Sequence, residues 1–130
     1  MEKTCKPSAL HGAVLLSLLL LPMIPAAAAG NPDAGKAAFK KCASCHQVGP
    51  SAHGGFGPQL TGVIGRPAGA TKDYNYSDAM KKSGIVWNEQ TLTAFLRAPS
   101  KVVPGTNMRF WGIGDDQQIA NILAYLKTFQ

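Results

Sequence analysis

Cys42-Ala43-Ser44-Cys45-His46 is a C-x-x-C-H run, the signature of covalent c-type haem attachment. Its spacing has a chemical reason. Residues three apart share a face of a helical turn, so Cys42 and Cys45 can point their sulfurs the same way. Each thiol can then form a thioether with one haem vinyl group. His46 follows at once, and its imidazole can reach the iron from beneath the ring. The chain has three Cys and three His in 130 residues. Random sequence of that composition gives the pattern in roughly one chain in six hundred, so coincidence is a poor account. A thioredoxin-like redox pair needs a βαβ setting, which the sequence lacks. A structural zinc site wants four ligands at paired spacings, and the remaining cysteine, Cys5, lies in the leader.

Residues 1–29 read as a cleaved secretory signal peptide. Lys3 and Lys6 form a positive n-region, Ala13 to Leu21 an apolar h-region, and Ala26-Ala27-Ala28-Ala29 a small-residue cleavage site. The bond cut lies within Ala26 to Gly30. The apolar run is short for a membrane span, and Pro22 and Pro25 interrupt its end. Residues 30–130 are then the mature haem domain, addressed to the periplasm, where covalent haem attachment takes place in bacteria. About 100 residues is small for a self-sufficient core. A buried haem supplies apolar surface to pack on.

The chain carries 13 Lys+Arg against 7 Asp+Glu. Removing Lys3, Lys6 and Glu2 with the leader leaves 11 against 6, a formal charge of +5. That modest balance suits acidic protein partners by electrostatic steering. The basic residues are scattered and no reading motif accompanies them, so nucleic acid is excluded as a partner.

Along the mature chain, Asn31 caps a helix that Pro32 opens, running to about Lys41 and leading into the haem motif. Gln47 to Thr71 is rich in Gly and Pro and has no period, so it reads as loop. A loop so long is unusual in a compact domain unless it wraps a cofactor. Ser77 to about Ser83 is a short helix, capped by Ser77 and stopped by Gly84. Asn88 to Arg97 is another, with Trp87 and Leu92 placed for a hydrophobic staple and Pro99 ending it. In the last helix Asp115 and Gln118 form a capping pair, and Ile119, Ile122, Leu123 and Leu126 make a core stripe. No segment alternates as a strand, so the fold class is all-α.

A six-coordinate haem needs a ligand opposite His46. His11 leaves with the leader. His53 lies in a Gly-rich loop close in sequence to His46, and Met80 sits inside a predicted helix where packing accounts for it. Met108 lies in the turn-rich segment Val103-Pro104-Gly105-Thr106-Asn107-Met108 between two helices. Such a loop can bring a thioether across the haem face, where soft sulfur favours ferrous iron and raises the potential.

These residues together resemble the class I cytochromes c, mitochondrial and bacterial. The markers are Phe39, the Cys42–His46 motif, Gly57-Pro58-Gln59-Leu60, Gly62-Val63-Ile64-Gly65-Arg66, Tyr74-Asn75-Tyr76-Ser77-Asp78-Ala79, Gly84-Ile85-Val86-Trp87, Pro104-Gly105-Thr106-Asn107-Met108 and Ala124-Tyr125-Leu126-Lys127. The resemblance implies a small cytochrome c fold around one haem c, with N- and C-terminal helices crossing through Gly35 and Phe39 near Tyr125. It places the family's axial methionine on Met108, opposite His46. It makes Pro58 the carbonyl acceptor for the His46 imidazole, Tyr76 and Trp87 donors to a buried propionate, and Arg66 the cation beside it. Thr106 falls among the cofactor-binding positions.

It further implies a monomeric, soluble one-electron carrier rather than an enzyme. Such a carrier passes electrons from a cytochrome bc complex, or a periplasmic dehydrogenase, to a terminal oxidase or photosynthetic reaction centre. A haem peroxidase or gas-binding protein would need an open iron site. A haem subunit of a larger dehydrogenase would co-purify with a catalytic chain.

Three departures from the family stand out. Phe95 replaces a frequent tyrosine and Met80 a frequent asparagine, which implies a drier methionine side. Ser100 and Asn107 stand where mitochondrial relatives carry lysines, while Lys41 and Lys101 remain and Asp115 and Asp116 add negative charge. Docking is therefore expected to lean on apolar contact, through Phe110 and Trp111.

Overall fold

A computed structural model describes residues 29–130 and Met1. Residues 2–28, most of the expected signal peptide, lie outside the described residues. Five helices follow one another: α1 (Pro32–Phe39), α2 (Asp78–Lys81), α3 (Glu89–Arg97), α4 (Pro99–Val102) and α5 (Asp116–Lys127). Among the described residues there is no strand, and the one β-bridge pairs Pro67 with Val86.

Helices α1, α2, α3 and α5 begin where a capping side chain stands. Asn31 accepts a hydrogen bond from Ala34 N–H at 2.9 Å, and Pro32 takes the first helical position, where a missing N–H costs nothing. Ser77 accepts from Met80 N–H at 3.1 Å. Asn88 and Thr91 satisfy each other's backbone N–H groups, both at 2.8 Å. Asp115 accepts from Gln118 N–H at 3.1 Å. Two boundaries differ from the sequence reading. Helix α1 ends at Phe39, and the chain continues as tighter turns through Cys45. Pro99 does not only end α3: it also opens α4, because the residue that cannot continue one helix is pre-shaped to start the next.

Helices α1 and α5 cross at backbone distance. A Cβ on Gly35 would lie 1.9 Å from the Asn121 carbonyl oxygen, so only glycine permits the approach. Asn31 N–H donates to the Asn121 side chain at 2.8 Å, and the Phe39 and Tyr125 rings meet at 5.4 Å. Helix α5 buries the predicted stripe of Ile119, Ile122, Leu123 and Leu126. Leu92 and Phe95 bury the inner face of α3, where Phe95 packs on Trp87 with ring centres 5.1 Å apart.

The segment read as an unstructured wrap is pinned by long-range backbone bonds. Leu60 N–H donates to Gln47, Gly62 to Phe129, Gly65 to Trp87 and Ala68 to Ile85, at 2.7 to 2.9 Å. Its polar backbone is thus satisfied without regular structure.

The crossing yields a direct test. Gly35→Ala forces a methyl group onto the Asn121 carbonyl, and the overpacking is expected to cost about 1–3 kcal/mol or more. Chemical denaturation of the haem-loaded protein measures it. A variant as stable as the wild type would contradict the close approach.

Candidate haem-binding site

The Cys42 carbonyl accepts from both Cys45 N–H, at 3.0 Å, and His46 N–H, at 2.8 Å. That turn carries the C-x-x-C-H residues off the end of α1. Cys42 is half-buried and Cys45 exposed, and neither is in a disulfide. Burial, and then the neighbouring Cys45, push the Cys42 thiol above its ordinary pKa, with Lys41 opposing. His46 Nδ1–H donates to the Pro58 carbonyl at 2.8 Å, which leaves Nε2 available. Burial lowers the pKa of His46, and the Pro58 bond opposes it. The ring is therefore biased towards the neutral form that binds metals. Gly57 is obligatory behind it, since a Cβ there would meet the His46 ring at 2.6 Å.

His46 opens into the interior cavity. Cys42, Pro58, Arg66, Tyr76, Trp87, Thr106 and Met108 share its wall, so the structure brings together every candidate site residue except Cys45. Phe39, Leu60, Val63, Leu92, Ile122 and Leu126 supply its apolar lining. The space between these walls is about 860 Å³, open solvent at its mouth included. Met80 and Phe95 are both buried and also line it, so Met80 packs against the cavity rather than elsewhere in the core. Met108 is half-buried, its N–H held by Thr106 Oγ1 at 3.2 Å. His53 is exposed, its ring nitrogens near Gln47 and the Ser51 carbonyl, and it is not on the cavity wall.

Arg66 is the informative polar group. It is half-buried, and its guanidinium donates to the Thr61 carbonyl at 3.1 Å and the Gln59 carbonyl at 2.7 Å. Burial lowers its pKa, while Tyr76 and Asp73 raise it; a guanidinium stays cationic regardless. Among the described residues no carboxylate lies within ion-pair distance of it. A planar apolar group that carries carboxylates fits this wall: the apolar faces pack it, a thiol and an imidazole border it, and a cation awaits its acid. Tyr76 OH, 2.8 Å from Thr71 Oγ1, stands on the same wall.

Sequence reasoning missed two features. Gly54 N–H donates to the Asp73 carboxylate at 2.7 Å, which joins the 50s loop to the segment carrying Tyr74 and Tyr76. Phe56 is almost fully exposed, whereas Phe110, expected on the surface, packs partly against the core. Phe56 sits among glycines that signal loop, and nothing local in the sequence tells which way it points.

The fold and cavity define a class: a small all-helical domain wrapped around a covalently held planar cofactor. The family profile described as cytochrome c matches residues 32–130. The chain is 49% identical over 102 residues to cytochrome c2 of Rhodoblastus acidophilus, covering 78% of this chain and 95% of that one. To cytochrome c-550 of Nitrobacter winogradskyi it is 46% identical over 100 residues, covering 77% and 92%. The solved cytochrome cH from Methylobacterium extorquens superposes with a TM-score of 0.72 at 45% identity, covering 76% of this chain and 99% of that one. The chain belongs to the cytochrome c family. It carries haem c bound through Cys42 and Cys45, and it is an electron-transfer protein, not an enzyme.

The Asp73 clamp predicts a pH dependence. The Gly54 N–H bond, opposed by slight desolvation, holds Asp73 below the usual carboxylate range. A depressed carboxyl stabilises the fold above its unfolded pKa, near 4, and loses that contribution as pH falls through the lower folded value. Asp73→Ala should therefore be less stable than wild type at neutral pH, with the gap closing towards pH 2. Thermal unfolding of both proteins across that range checks the sign.

Proposed function

We propose that the chain is a soluble periplasmic carrier in which His46 and Met108 are the two axial ligands of the haem iron. Bound there, the haem iron supplies one-electron exchange between its ferric and ferrous states. The single observation that carries this reading is the shared wall. His46, with Nε2 free, and Met108, on the 103–108 loop, border one cavity with the attachment residue Cys42. Pro58 orients the imidazole and strengthens it as a donor. Arg66, Tyr76, Trp87 and Thr106 hold the cofactor's polar edge. With His46 and Met108 both holding the iron, the chain would leave no open site for a substrate, and little would have to move on electron transfer.

The leader features of residues 1–29 support the periplasm, with residues 30–130 as the working domain. No helix among the described residues is long and apolar enough to cross a membrane. The proposed donor is a cytochrome bc complex, or a periplasmic dehydrogenase, and the acceptor a terminal oxidase or photosynthetic reaction centre. Purified protein mixed with membranes from its source should be reduced and reoxidised, and inhibiting each membrane complex in turn should stop one half of the cycle. A protein that these membranes neither reduce nor oxidise would end this reading.

Two variants probe the iron site. Met108→Ala should abolish the iron–sulfur absorption band and let the reduced protein bind carbon monoxide, which the wild type refuses. If the band survives, Met108 is not the ligand. Phe95 and Met80 keep the methionine side apolar, which favours the less charged ferrous core. Phe95→Tyr should therefore lower the midpoint potential. An unchanged or higher value by potentiometry would count against this.

A further inference from the structure

Four large apolar side chains are exposed among the described residues: Met1, Phe56, Val86 and Trp111. The two aromatic ones sit on backbone tied to the cofactor. Phe56 is 90% exposed and precedes Gly57, which abuts the His46 ring and donates its N–H to the Cys45 carbonyl at 2.9 Å. Trp111, wholly exposed, lies three residues beyond Met108. Neither side chain is held out by a loose segment. Gly55 N–H donates to the Gly57 carbonyl at 2.9 Å, and Ile113 N–H to the Leu96 carbonyl at 2.9 Å. Exposing an aromatic ring to water has no stabilising purpose in the monomer. On a pinned backbone it is the arrangement that binds with least loss of conformational entropy.

Both aromatics lie in uncharged stretches of sequence, and this bears on the kind of partner they suit. From Gln47 to Gly65 the chain has no Lys, Arg, Asp or Glu, and Phe110 to Gly114 has none either. Anionic lipid and nucleic acid need cations that these stretches lack. We propose that Phe56 and Trp111 are aromatic anchors that seat in apolar, uncharged pockets on the docking face of the membrane-held redox partner. The proposal rests on the carrier reading above and names how its partner is held. Contact at these two points would bear on the backbone beside His46, through Gly57, and on the loop that carries Met108. Buried aromatic anchors carry most of the binding energy of such interfaces, while uncharged rims leave the encounter little affected by salt.

The test uses the haem-loaded protein and the variants Phe56→Ala, Trp111→Ala, the double variant and Trp111→Phe. Each alanine variant should lower the second-order rate constant for oxidation by source membranes by about tenfold or more. Trp111→Phe should keep most of the rate, and reduction by ascorbate and the midpoint potential should not change. The wild-type rate should vary less than about threefold between 0.05 and 0.5 M salt. Alanine variants as fast as wild type overturn the proposal, as does a loss mirrored in the ascorbate rate. A rate that collapses with salt points to charge-based docking instead. Sedimentation showing a wild-type dimer that the variants dissolve makes the occupant a second copy. Binding to phosphatidylcholine vesicles that the variants lose makes it a lipid surface. A wild-type protein inert towards the membranes removes the carrier reading itself, whereas active wild type with equally active variants removes only the anchors.

Discussion

The approach of α1 to α5, backbone on backbone at Gly35, is the constraint on which the rest of the molecule depends. Residues 42–46 leave the end of α1 within two turns, so the position of α1 fixes where the attachment cysteines and His46 can lie. Helix α5 fixes the opposite wall through Ile122 and Leu126, which border the same cavity. The Phe39–Tyr125 contact closes the crossing on the side nearest the motif. A single absent side chain thus sets the distance between the cofactor's tether and the core it packs on.

Within that frame the cavity solves a problem of size. A chain of this length cannot bury enough apolar surface by itself. Many of its buried apolar side chains accordingly face the cavity as well as one another: Phe39, Trp87, Leu92, Phe95, Ile122 and Leu126 are buried and line it. Cofactor and core are one hydrophobic unit. The exception is Arg66, whose half-buried cation is held by the carbonyls of Gln59 and Thr61. Those two carbonyls solvate the charge, and the proposed partner for it is an acid of the cofactor.

Much of this was legible in the sequence, and for local reasons. The C-x-x-C-H spacing, the caps at Asn31, Ser77, Asn88 and Asp115, and the stripe on α5 each lie within a few residues, where sequence pattern and geometry coincide. What was hidden was long-range. Nothing near Gly62 announces a hydrogen bond to Phe129, and nothing near Gly54 announces one to Asp73. Of the two adjacent aromatics read as an apolar contact, Phe110 is half-buried against the core and Trp111 fully exposed, a difference that only the packed core decides. That His46 and Met108 border one cavity was reached through the family resemblance, since the loops that carry them are more than sixty residues apart in the chain.

The peptide groups of the 47–71 segment hold it in place, with Gly62, Gly65 and Ala68 donating to the carbonyls of Phe129, Trp87 and Ile85, so its anchorage lies in backbone rather than in its outward side chains. Its outward residues are thereby relieved of structural duty. Whatever they recognise can change, one surface substitution at a time, without disturbing the iron's surroundings. On the docking and ligation proposed above, choice of partner and tuning of potential become separately heritable traits, written on opposite sides of the same strip of backbone.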